Sequence, residues 1–381
     1  MNYFIKADKF FYPYETKDEG YLEIIGGHFG NYYVKAPVDA TIIDYSGKWI
    51  APGLVDTHIH GFDGADVMDN DYKKIFEKMS NGLLRAGVTS WLPTPLTGNH
   101  DLLKEVCELI GEHYSEAKGA KIQGLFFEGP YFTAEHKGAQ NPAYMTDPNV
   151  AEFDKWNRAA KGLIRKFAIA PERAHAVDFV NALSGQGVAV ALGHSNATYD
   201  QALAAIEAGA SIFVHTYNGM SGFNHREPGM VGAALSTPNT YTELICDGHH
   251  VHPVAAKVML QAKGAEHVVL ITDSMRAAGL SDGEYMLGEF PVIVKNGAAH
   301  LKEGDSLAGS ILMLKDAIKN VVDWEVATPE EAIMMATLTA AKSVGIDDRC
   351  GQIKKGLAAD FIVLTPEMDL KNVYLDGVQR I

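Results

Sequence analysis

The chain has 381 residues, of which 47% are hydrophobic and 21% are charged, as is typical of a globular protein that folds in water. Its formal net charge is −15, which argues against binding to nucleic acid or to an anionic membrane, because both would repel it. An anionic substrate would therefore have to be held by a local cluster of positive groups.

The two ends of the chain have a different pattern from its middle. The N-terminal part contains β-leaning runs such as "YLEIIGGHFGNYYVK" and "ATIIDYSGKWI", and the C-terminal part reads "GQIKKGLAADFIVLTPEMDLKNVYLDGVQRI". Long helices are not indicated in either part. We therefore expect residues 1–50 and 350–381 to form one small β-sandwich domain, and residues 51–349 to form the main domain.

Targeting signals are not evident in the sequence. The N-terminus has no continuous apolar stretch of the kind found in signal peptides, and the chain contains no run of about 18 apolar residues that would predict a transmembrane helix. The three cysteines, Cys107, Cys246 and Cys350, are widely spaced and are typical of reduced thiols. These features favour a cytoplasmic protein.

Short apolar runs alternate with helical segments through the main domain. They are "GLVDTHIH" (53–60), "GVTSWLPT" (87–94), "IQGLFFEG" (122–129), "IRKFAIAPE" (164–172), "VAVALGHS" (188–195), "SIFVHTYN" (211–218), "TELICDG" (242–248) and "HVVLITDS" (267–274). Parallel strands that are covered on both faces have this continuous apolar character. Eight such strands separated by helices predict a (β/α)₈ TIM barrel.

Helix signals lie between the predicted strands. The segment "DYKKIFEKMSNGLLRAG" has spaced apolar residues and ends at Gly87. Thr198 with Gln201 three residues later predicts a capping box, and Thr328 with Pro329 and Glu331 predicts a second one. We expect the helix that begins at Thr328 to continue as far as Gly345.

Histidines and carboxylates fall at the ends of the predicted strands. His58 and His60 end the first run, and later runs end at Glu128, His194, His215 and Asp273. Residues at i and i+2 of a strand point to the same face, so His58 and His60 can aim at one point. Imidazole and carboxylate are preferred ligands of borderline divalent metals, and six of them suffice for two ions.

Each of these residues also has an ordinary structural interpretation. His194 could be a core histidine with its hydrogen bonds satisfied, Asp273 could cap a helix, and Glu128 could pair with an arginine. Their joint occurrence at strand ends favours the metal site, because active sites of TIM barrels lie at the carboxyl ends of the strands.

A metal site of this composition indicates a hydrolytic reaction. A bound divalent metal lowers the pKa of its water to about 7 and polarises a carbonyl. Asp273 can accept the proton of the water and pass it to the leaving group. An amine leaving group requires that proton, so the expected reaction is hydrolysis of a C–N bond at a carbonyl.

Longer motifs give the sequence a family resemblance. "PGLVDTHIHG", "GHS", "HTYN" and "ITDS" resemble the amidohydrolase superfamily. "FFEGPY", "HKGAQNP", "LGHSNATYDQ", "HTYNGMSGFNHREPG", "CDGHHVHP" and "LAGS" are similar to its N-acetylglucosamine-6-phosphate deacetylase family. The resemblance extends from about residue 50 to the C-terminus. It implies removal of acetate from N-acetylglucosamine 6-phosphate, a phosphorylated amino sugar.

The resemblance also assigns roles within the metal site. Glu128, His194 and His215 match the principal metal ligands of the family, and Asp273 matches its catalytic acid/base. Some members lack the first histidine pair, whereas His58 and His60 are both present here. The sequence thus resembles the branch with two ions per subunit, bridged by Glu128. The residues accept zinc, iron, manganese or cobalt. The bridging carboxylated lysine of other superfamily members is not expected, because Lys166 lies near the start of the fourth run.

Substrate-binding residues follow from the same resemblance. Asn218, Gly219 and His250 match groups that contact the sugar phosphate, and Arg226 matches an arginine that reaches the phosphate across a homodimer interface. Gln140 replaces a histidine that contacts substrate in some members, and Ala308 is expected near the acetyl methyl group. Without the resemblance, Arg226 could pair with Glu227, and His250 could be a surface residue.

Two other function classes are compatible with the barrel. One is a different amidohydrolase, such as a D-aminoacylase or a dihydroorotase-like enzyme, which would not need the phosphate-binding residues. The other is a binding or scaffold protein that has kept the fold. Such a protein would be expected to have lost at least one of four residues, and all four are present, namely Glu128, His194, His215 and Asp273.

Overall fold

The computed structural model describes residues 2–71, 73–304 and 306–381. Within them the chain forms a mixed α/β fold in which curved parallel strands carry helices on their outer side, and a mixed, mostly antiparallel sheet is built from the two ends of the chain. A large apolar core fills the parallel-strand part, and a smaller core lies under the terminal sheet.

Among the described residues, every one of the eight predicted runs contains a parallel strand. The strands are β1 (Leu54–Ile59), β2 (Val88–Pro93), β3 (Leu125–Glu128), β4 (Ile164–Ile169), β5 (Ala189–Leu192), β6 (Ala210–Phe213), β7 (Tyr241–Ile245) and β8 (Val268–Ile271). Nearly all of their residues are buried. Strands β1 and β2 pair with each other, and β3 to β8 pair in chain order.

Additional backbone contacts connect these two groups of strands. The third predicted run is split, and its first part, Lys121–Ile122, pairs with β2. A parallel bridge between Leu96 and Glu128 continues this contact toward the strand ends. At the other edge, the amide of Asp273 donates to the carbonyl of His58 at 2.9 Å. The carboxyl ends of β1, β3 and β8 therefore reach one common rim.

Helices connect consecutive strands and cover their outer face. In the described chain they are Lys73–Met79, which is π-helical, Ser80–Arg85, His100–His113, Val150–Ala159, Ala176–Gly185, Tyr199–Glu207, Gly229–Ser236, Pro253–Lys263, Leu314–Asp323, Pro329–Met335 and Leu338–Ser343. The predicted capping box of Thr198 with Gln201 is present, and so is that of Thr328 with Glu331.

The prediction of one continuous helix from Thr328 to Gly345 is wrong. The structure has two helices, separated at Ala336 and Thr337. The carbonyl of Ala336 accepts a hydrogen bond from the amide of Val55, and the Thr337 hydroxyl donates to the carbonyl of Ile333 at 2.6 Å. These contacts replace helical ones, because a tertiary hydrogen bond to β1 outweighs local propensity here.

Both ends of the chain contribute to the terminal sheet, as the sequence predicts. Its strands are Asn2–Tyr12, Glu15–Lys17, Gly20–Ile25, His28–Tyr33, Ile42–Pro52, Phe361–Leu364, Leu370–Leu375 and Val378–Gln379. Its description as a sandwich and the domain boundaries stay predictions. A separate three-stranded antiparallel sheet, which the sequence analysis did not foresee, follows β8 and consists of Gly283–Leu287, Phe290–Lys295 and Ala298–Leu301.

Among the described residues, no helix is both long and apolar enough to cross a bilayer.

The end of β5 offers a test of this packing. A Cβ atom at Gly193 would lie 1.9 Å from Cγ2 of Val214. We expect Gly193→Ala to lower the stability by about 1–3 kcal/mol through overpacking, measured as a lower midpoint of thermal unfolding. Gly185→Ala is the control, because nothing lies within 4 Å of the new Cβ atom. Equal midpoints in the two variants would contradict the prediction.

Candidate metal centre

Six buried side chains from the strand ends meet in two groups of three. One group consists of His58, His60 and Asp273, and the other consists of Glu128, His194 and His215. Within each group the ligand atoms lie within 4.8 Å of one another. The structure therefore brings together all six residues that the sequence predicts as metal ligands.

The Glu128 carboxylate lies between the two groups. Its Oε1 atom is 3.2 Å from Nε2 of His58, 3.2 Å from Nε2 of His194 and 3.0 Å from Nε2 of His215. Its Oε2 atom is 3.2 Å from Nε2 of His60. Asp273 closes the other side, with Oδ1 2.9 Å from the same His60 nitrogen. One carboxylate is thus within reach of both groups.

All four histidines are oriented by a hydrogen bond from Nδ1. For three of them the acceptor is a backbone carbonyl, that of Thr94 for His60 (2.8 Å), of His136 for His194 (2.7 Å) and of Asn218 for His215 (3.0 Å). For His58 it is the Glu243 carboxylate, at 3.1 Å. Because carbonyls and carboxylates only accept, a proton is on Nδ1, and Nε2 is the nitrogen that faces the centre and can offer a lone pair to a metal ion.

The backbone turns sharply where three of these residues leave their strands. His194, His215 and Asp273 each follow two residues after a strand ends, and their φ angles are 45°, 26° and 49°. A residue other than glycine in this left-handed region costs on the order of 1–3 kcal/mol, and such residues concentrate at functional sites. The surrounding packing must hold these turns in place.

The charges of the site shift the pKa of its members strongly. Burial opposes protonation of His58, but the nearby Glu128 and Asp273 carboxylates outweigh it and raise the pKa of His58 to about 9. Burial likewise opposes protonation of His60, whose pKa is nevertheless raised well above its ordinary value by hydrogen bonds to the same carboxylates.

The carboxylates respond in the opposite direction. Burial alone would raise the pKa of Glu128, but the charge of His58 and hydrogen bonds from the histidines hold it well below its usual range. The pKa of Asp273 is lowered to about 2, again against the effect of burial, by His58 and His60. Both carboxylates are therefore ionised at neutral pH.

These residues fit a divalent metal. Within the described chain, Nε2 of His58 is completely buried and has no hydrogen-bond partner, which is unusual for a buried polar atom. Lone-pair nitrogens together with ionised carboxylates form the donor set that such cations prefer. The chemistry of the site therefore indicates a divalent cation.

A buried ion pair beneath the centre was missed by the sequence analysis. Lys166 on β4 and Glu243 on β7 are both fully buried and form an ion pair with each other. A signal was available, because each is a charged residue within a strand of mostly apolar residues. Lys166 does not belong to either group of metal-ligating side chains.

A cavity of about 360 Å³ opens above the centre. His60, Glu128, His194, His215 and Asp273 form its floor, and the predicted substrate residues Gln140, Asn218, Gly219 and His250 line its wall. Apolar side chains of Leu96, Leu287 and Leu307 complete the lining. The metal ligands and a ligand-sized space are therefore directly connected.

Gln140 is tied to the centre by its side chain. Its Nε2 donates to Oε2 of Glu128 at 2.8 Å, and its Oε1 accepts from the amide of Thr97 at 2.8 Å. Both ends of the amide are thereby fixed. The residue holds Glu128 in place in addition to lining the cavity.

The remaining predicted substrate residues differ in position. Nδ1 of His250 pairs with Oδ2 of Asp247 at 2.7 Å, which orients the ring. Ala308 is buried in an apolar cluster with Leu96 and Leu287, beside the cavity wall. Arg226 lies in the exposed segment 222–227 and is not among the described residues that line the cavity.

Comparison with protein families gives one extended match. The model described as "Amidohydrolase family" matches residues 49–380. This range contains all eight parallel strands and all six residues of the metal centre.

Individual proteins are similar over most of their length. An N-acetylgalactosamine-6-phosphate deacetylase of Escherichia coli O157:H7 is 39% identical over 345 residues, which cover 90% of each chain. An N-acetylglucosamine-6-phosphate deacetylase of Vibrio furnissii is 38% identical, with 86% of this chain and 82% of that protein covered. The crystal structure of N-acetyl-D-glucosamine-6-phosphate deacetylase from Mycobacterium smegmatis superimposes with a TM-score of 0.93 at 29% identity and covers 100% of both chains.

Proton release on metal binding tests the electrostatics of the centre. With a pKa of about 9, His58 carries a proton at pH 7 in the metal-free protein, and a metal must displace it. We expect calorimetric titration of the metal-free protein in buffers of different ionisation enthalpy to show this release. The number of released protons should fall as the pH rises through 9, and a constant number from pH 7 to 10 would contradict the prediction.

The stability of the metal-free protein should change over the same range. Since the pKa of His58 in the folded protein lies above its ordinary value of 6.5, its protonation stabilises the fold fully below pH 6.5. This contribution is lost as the pH rises through about 9. A His58→Gln variant is the control and should lose this part of the pH dependence.

Proposed function

The chain belongs to the amidohydrolase family, and we propose that it is a metal-dependent hydrolase that deacetylates N-acetylglucosamine 6-phosphate to glucosamine 6-phosphate and acetate. The observation that carries this proposal is the Glu128 carboxylate, shared by two groups of ligands at the floor of a cavity. Similarity over most of the chain to deacetylases of phosphorylated amino sugars supports the choice of substrate.

We infer that the centre holds two divalent ions per subunit, of zinc, iron, manganese or cobalt. His58, His60 and Asp273 would hold one ion, His194 and His215 would hold the other, and Glu128 would bridge them. Cations bound there would polarise the amide carbonyl and make water more acidic. The hydrogen bonds from Nδ1 orient the four imidazoles so that Nε2 of each is directed at the cations.

Asp273 is proposed as the group that moves the proton. Its carboxylate lines the cavity, and its lowered pKa keeps it ionised and able to accept a proton from the attacking water. It then returns that proton to the nitrogen of the leaving amine, because an amide anion is too basic to depart.

The substrate would be held by its phosphate and its sugar. Asn218, Gly219 and His250 are proposed to contact the phosphate from the cavity wall, and Gln140 to contact the sugar beside Glu128. Ala308, with its apolar neighbours Leu96 and Leu287, would limit the space for the acyl group.

Arg226 is proposed to reach the phosphate of a neighbouring subunit in a homodimer. It is exposed and belongs to an exposed segment that also presents Phe223, whose side chain is 63% accessible. An arginine offers a bidentate fork for phosphate. A protein with a net charge of −15 needs such a local positive group to bind an anion.

Three further proposals concern the fold and the location. The contacts at the edges of the two parallel sheets favour closure into one eight-stranded barrel. The bridge between His28 and Ala358 favours a terminal sheet that folds over into a sandwich, formed by residues 1–50 and 350–381 beside the barrel of 51–349. The free, buried Cys107, Cys246 and Cys350 favour a cytoplasmic location.

A second candidate substrate is N-acetylgalactosamine 6-phosphate, because a relative of that name is 39% identical. The two sugars differ in the configuration at C4. The test is acetate release from both phosphorylated sugars and from unphosphorylated N-acetylglucosamine. We expect the highest kcat/KM with N-acetylglucosamine 6-phosphate. A higher value with the galactose epimer would establish the second candidate, and no release from either would refute the function.

The role of Asp273 can be tested by Asp273→Asn. Asparagine keeps the size of the side chain but cannot carry the proton, so we expect kcat to fall by about 10²–10⁴-fold. Elemental analysis should show that the metal content is retained. Asp282→Asn, at an exposed position, is the control. Near-normal turnover of the Asp273 variant would defeat the assignment.

The role of Arg226 can be tested by Arg226→Ala. The loss of a charge-assisted hydrogen bond is worth about 1.5–3 kcal/mol, so we expect KM for the phosphorylated sugar to rise by about 10–150-fold. KM for the unphosphorylated sugar should not change. Arg349→Ala, at another exposed arginine, is the control. Equal effects on both substrates would show that Arg226 does not bind phosphate.

A further inference from the structure

The buried pair of Lys166 and Glu243 has no role in the function proposed above. Both side chains are completely buried in the interior enclosed by the parallel strands. Burying two charges there carries a desolvation cost, and an apolar pair of similar size is often at least as stable. Stability alone therefore gives no reason for this pair.

A continuous chain of contacts leads from this pair to the metal centre. The Lys166 ammonium binds Oε1 of Glu243, and Oε2 of Glu243 accepts the Nδ1 proton of His58 at 3.1 Å. The same oxygen lies 3.4 Å from the amide of His215 and accepts its hydrogen bond. The ammonium also lies 3.6 Å from the centre of the Phe126 ring, and that ring packs edge-on against His58 at 4.7 Å.

His58 differs from the other three histidines in the acceptor of its Nδ1 proton. Their Nδ1 protons go to backbone carbonyls, whereas His58 donates to a carboxylate. A carboxylate is a stronger acceptor than a carbonyl and makes the imidazole a more basic ligand. Ionised Glu243 in turn needs the Lys166 charge, because an unpaired carboxylate is costly at full burial.

We propose that Lys166 and Glu243 are positioning residues that set the metal affinity of the group formed by His58, His60 and Asp273. Glu243 fixes the His58 ring with Nε2 directed at the ion and increases its basicity, and Lys166 keeps Glu243 ionised and in place. The inference rests on the two-ion arrangement of the proposed function. It assigns control of one ion to a pair that contacts neither substrate nor reacting atoms.

The first experiment measures metal binding to Glu243→Gln. Metal-free protein is titrated with Co²⁺ against a chelator of known affinity, which resolves the two equivalents without any assay of activity. We expect the affinity of one equivalent to fall by about 10–100-fold and that of the other to stay unchanged. Two equivalents bound with the affinity of the parent protein would overturn the proposal.

A double variant separates positioning from damage to the fold. Glu243→Gln leaves Lys166 unpaired, so Glu243→Gln/Lys166→Met replaces both charges with neutral groups of similar size. We expect it to recover thermal stability while the weakened equivalent stays weak. Recovery of both properties would mean that the unpaired lysine, and not the lost hydrogen bond, had weakened metal binding, and the proposal would be wrong.

Two controls complete the design. Asp360→Asn breaks another lysine–carboxylate pair, in which Lys121 lies 2.9 Å from the 7% exposed Asp360, and it should leave both metal affinities unchanged. In a His58→Ala background, Glu243→Gln should have no further effect on metal binding, because Glu243 acts through His58. A full additional loss there would refute the proposal. Since the readouts are metal binding and thermal stability and never catalytic activity, failure of the proposed deacetylation can be distinguished from failure of this proposal.

Discussion

The shared carboxylate of Glu128 sets the geometry of the centre. Four imidazole nitrogens from three strand ends lie within 3.2 Å of its two oxygens. This arrangement would be unfavourable without a proton or a cation between them, because the lone pairs of the nitrogens and oxygens would repel one another. Buried and ionised, Glu128 needs positive charge nearby. In the metal-free protein that charge comes from protonated histidines, and in the metal-loaded protein it must come from cations. Folding therefore prepares a site in which protons and metal ions compete for the same lone pairs.

The backbone contributes as much to this geometry as the ligands do. The left-handed turns at His194, His215 and Asp273 direct the side chains of β5, β6 and β8 toward one point. Glycines make room around them, since a Cβ atom at Gly138 or Gly219 would lie 3.2 Å from the His194 ring. Such strain persists only where the surroundings hold it, and here the fully buried strands and the backbone acceptors of Nδ1 protons do so. The ligands are thus held rigidly before any ion binds.

Much of this arrangement is readable from the sequence, and the exceptions have physical reasons. The eight apolar runs gave the parallel strands, and the polar residues that end them gave the metal centre, because strand direction alone places those ends on one rim. The break at Ala336 was not foreseeable, since it results from a tertiary hydrogen bond to Val55. The antiparallel sheet after β8 was missed because its strands alternate exposed and buried residues, whereas the predicted strands were recognised as continuous apolar runs. Metal identity, assembly and the sugar epimer depend on energies that spacing does not encode.

The distribution of charge links the fold to its chemistry. With a net charge of −15, the protein attracts cations in general but gains no selectivity from that field, which salt screens within about 8–10 Å. Selectivity must come from fixed, dehydrated groups at short range. In the group of His58, His60 and Asp273, each histidine donates its Nδ1 proton to an acceptor outside the group. The acceptor for His58 is the Glu243 side chain, which substitution can change, whereas the acceptor for His60 is a main-chain carbonyl. Under the proposed two-ion arrangement, a substitution at Glu243 would alter the binding of one ion while the six candidate ligands and the cavity lining stay in place.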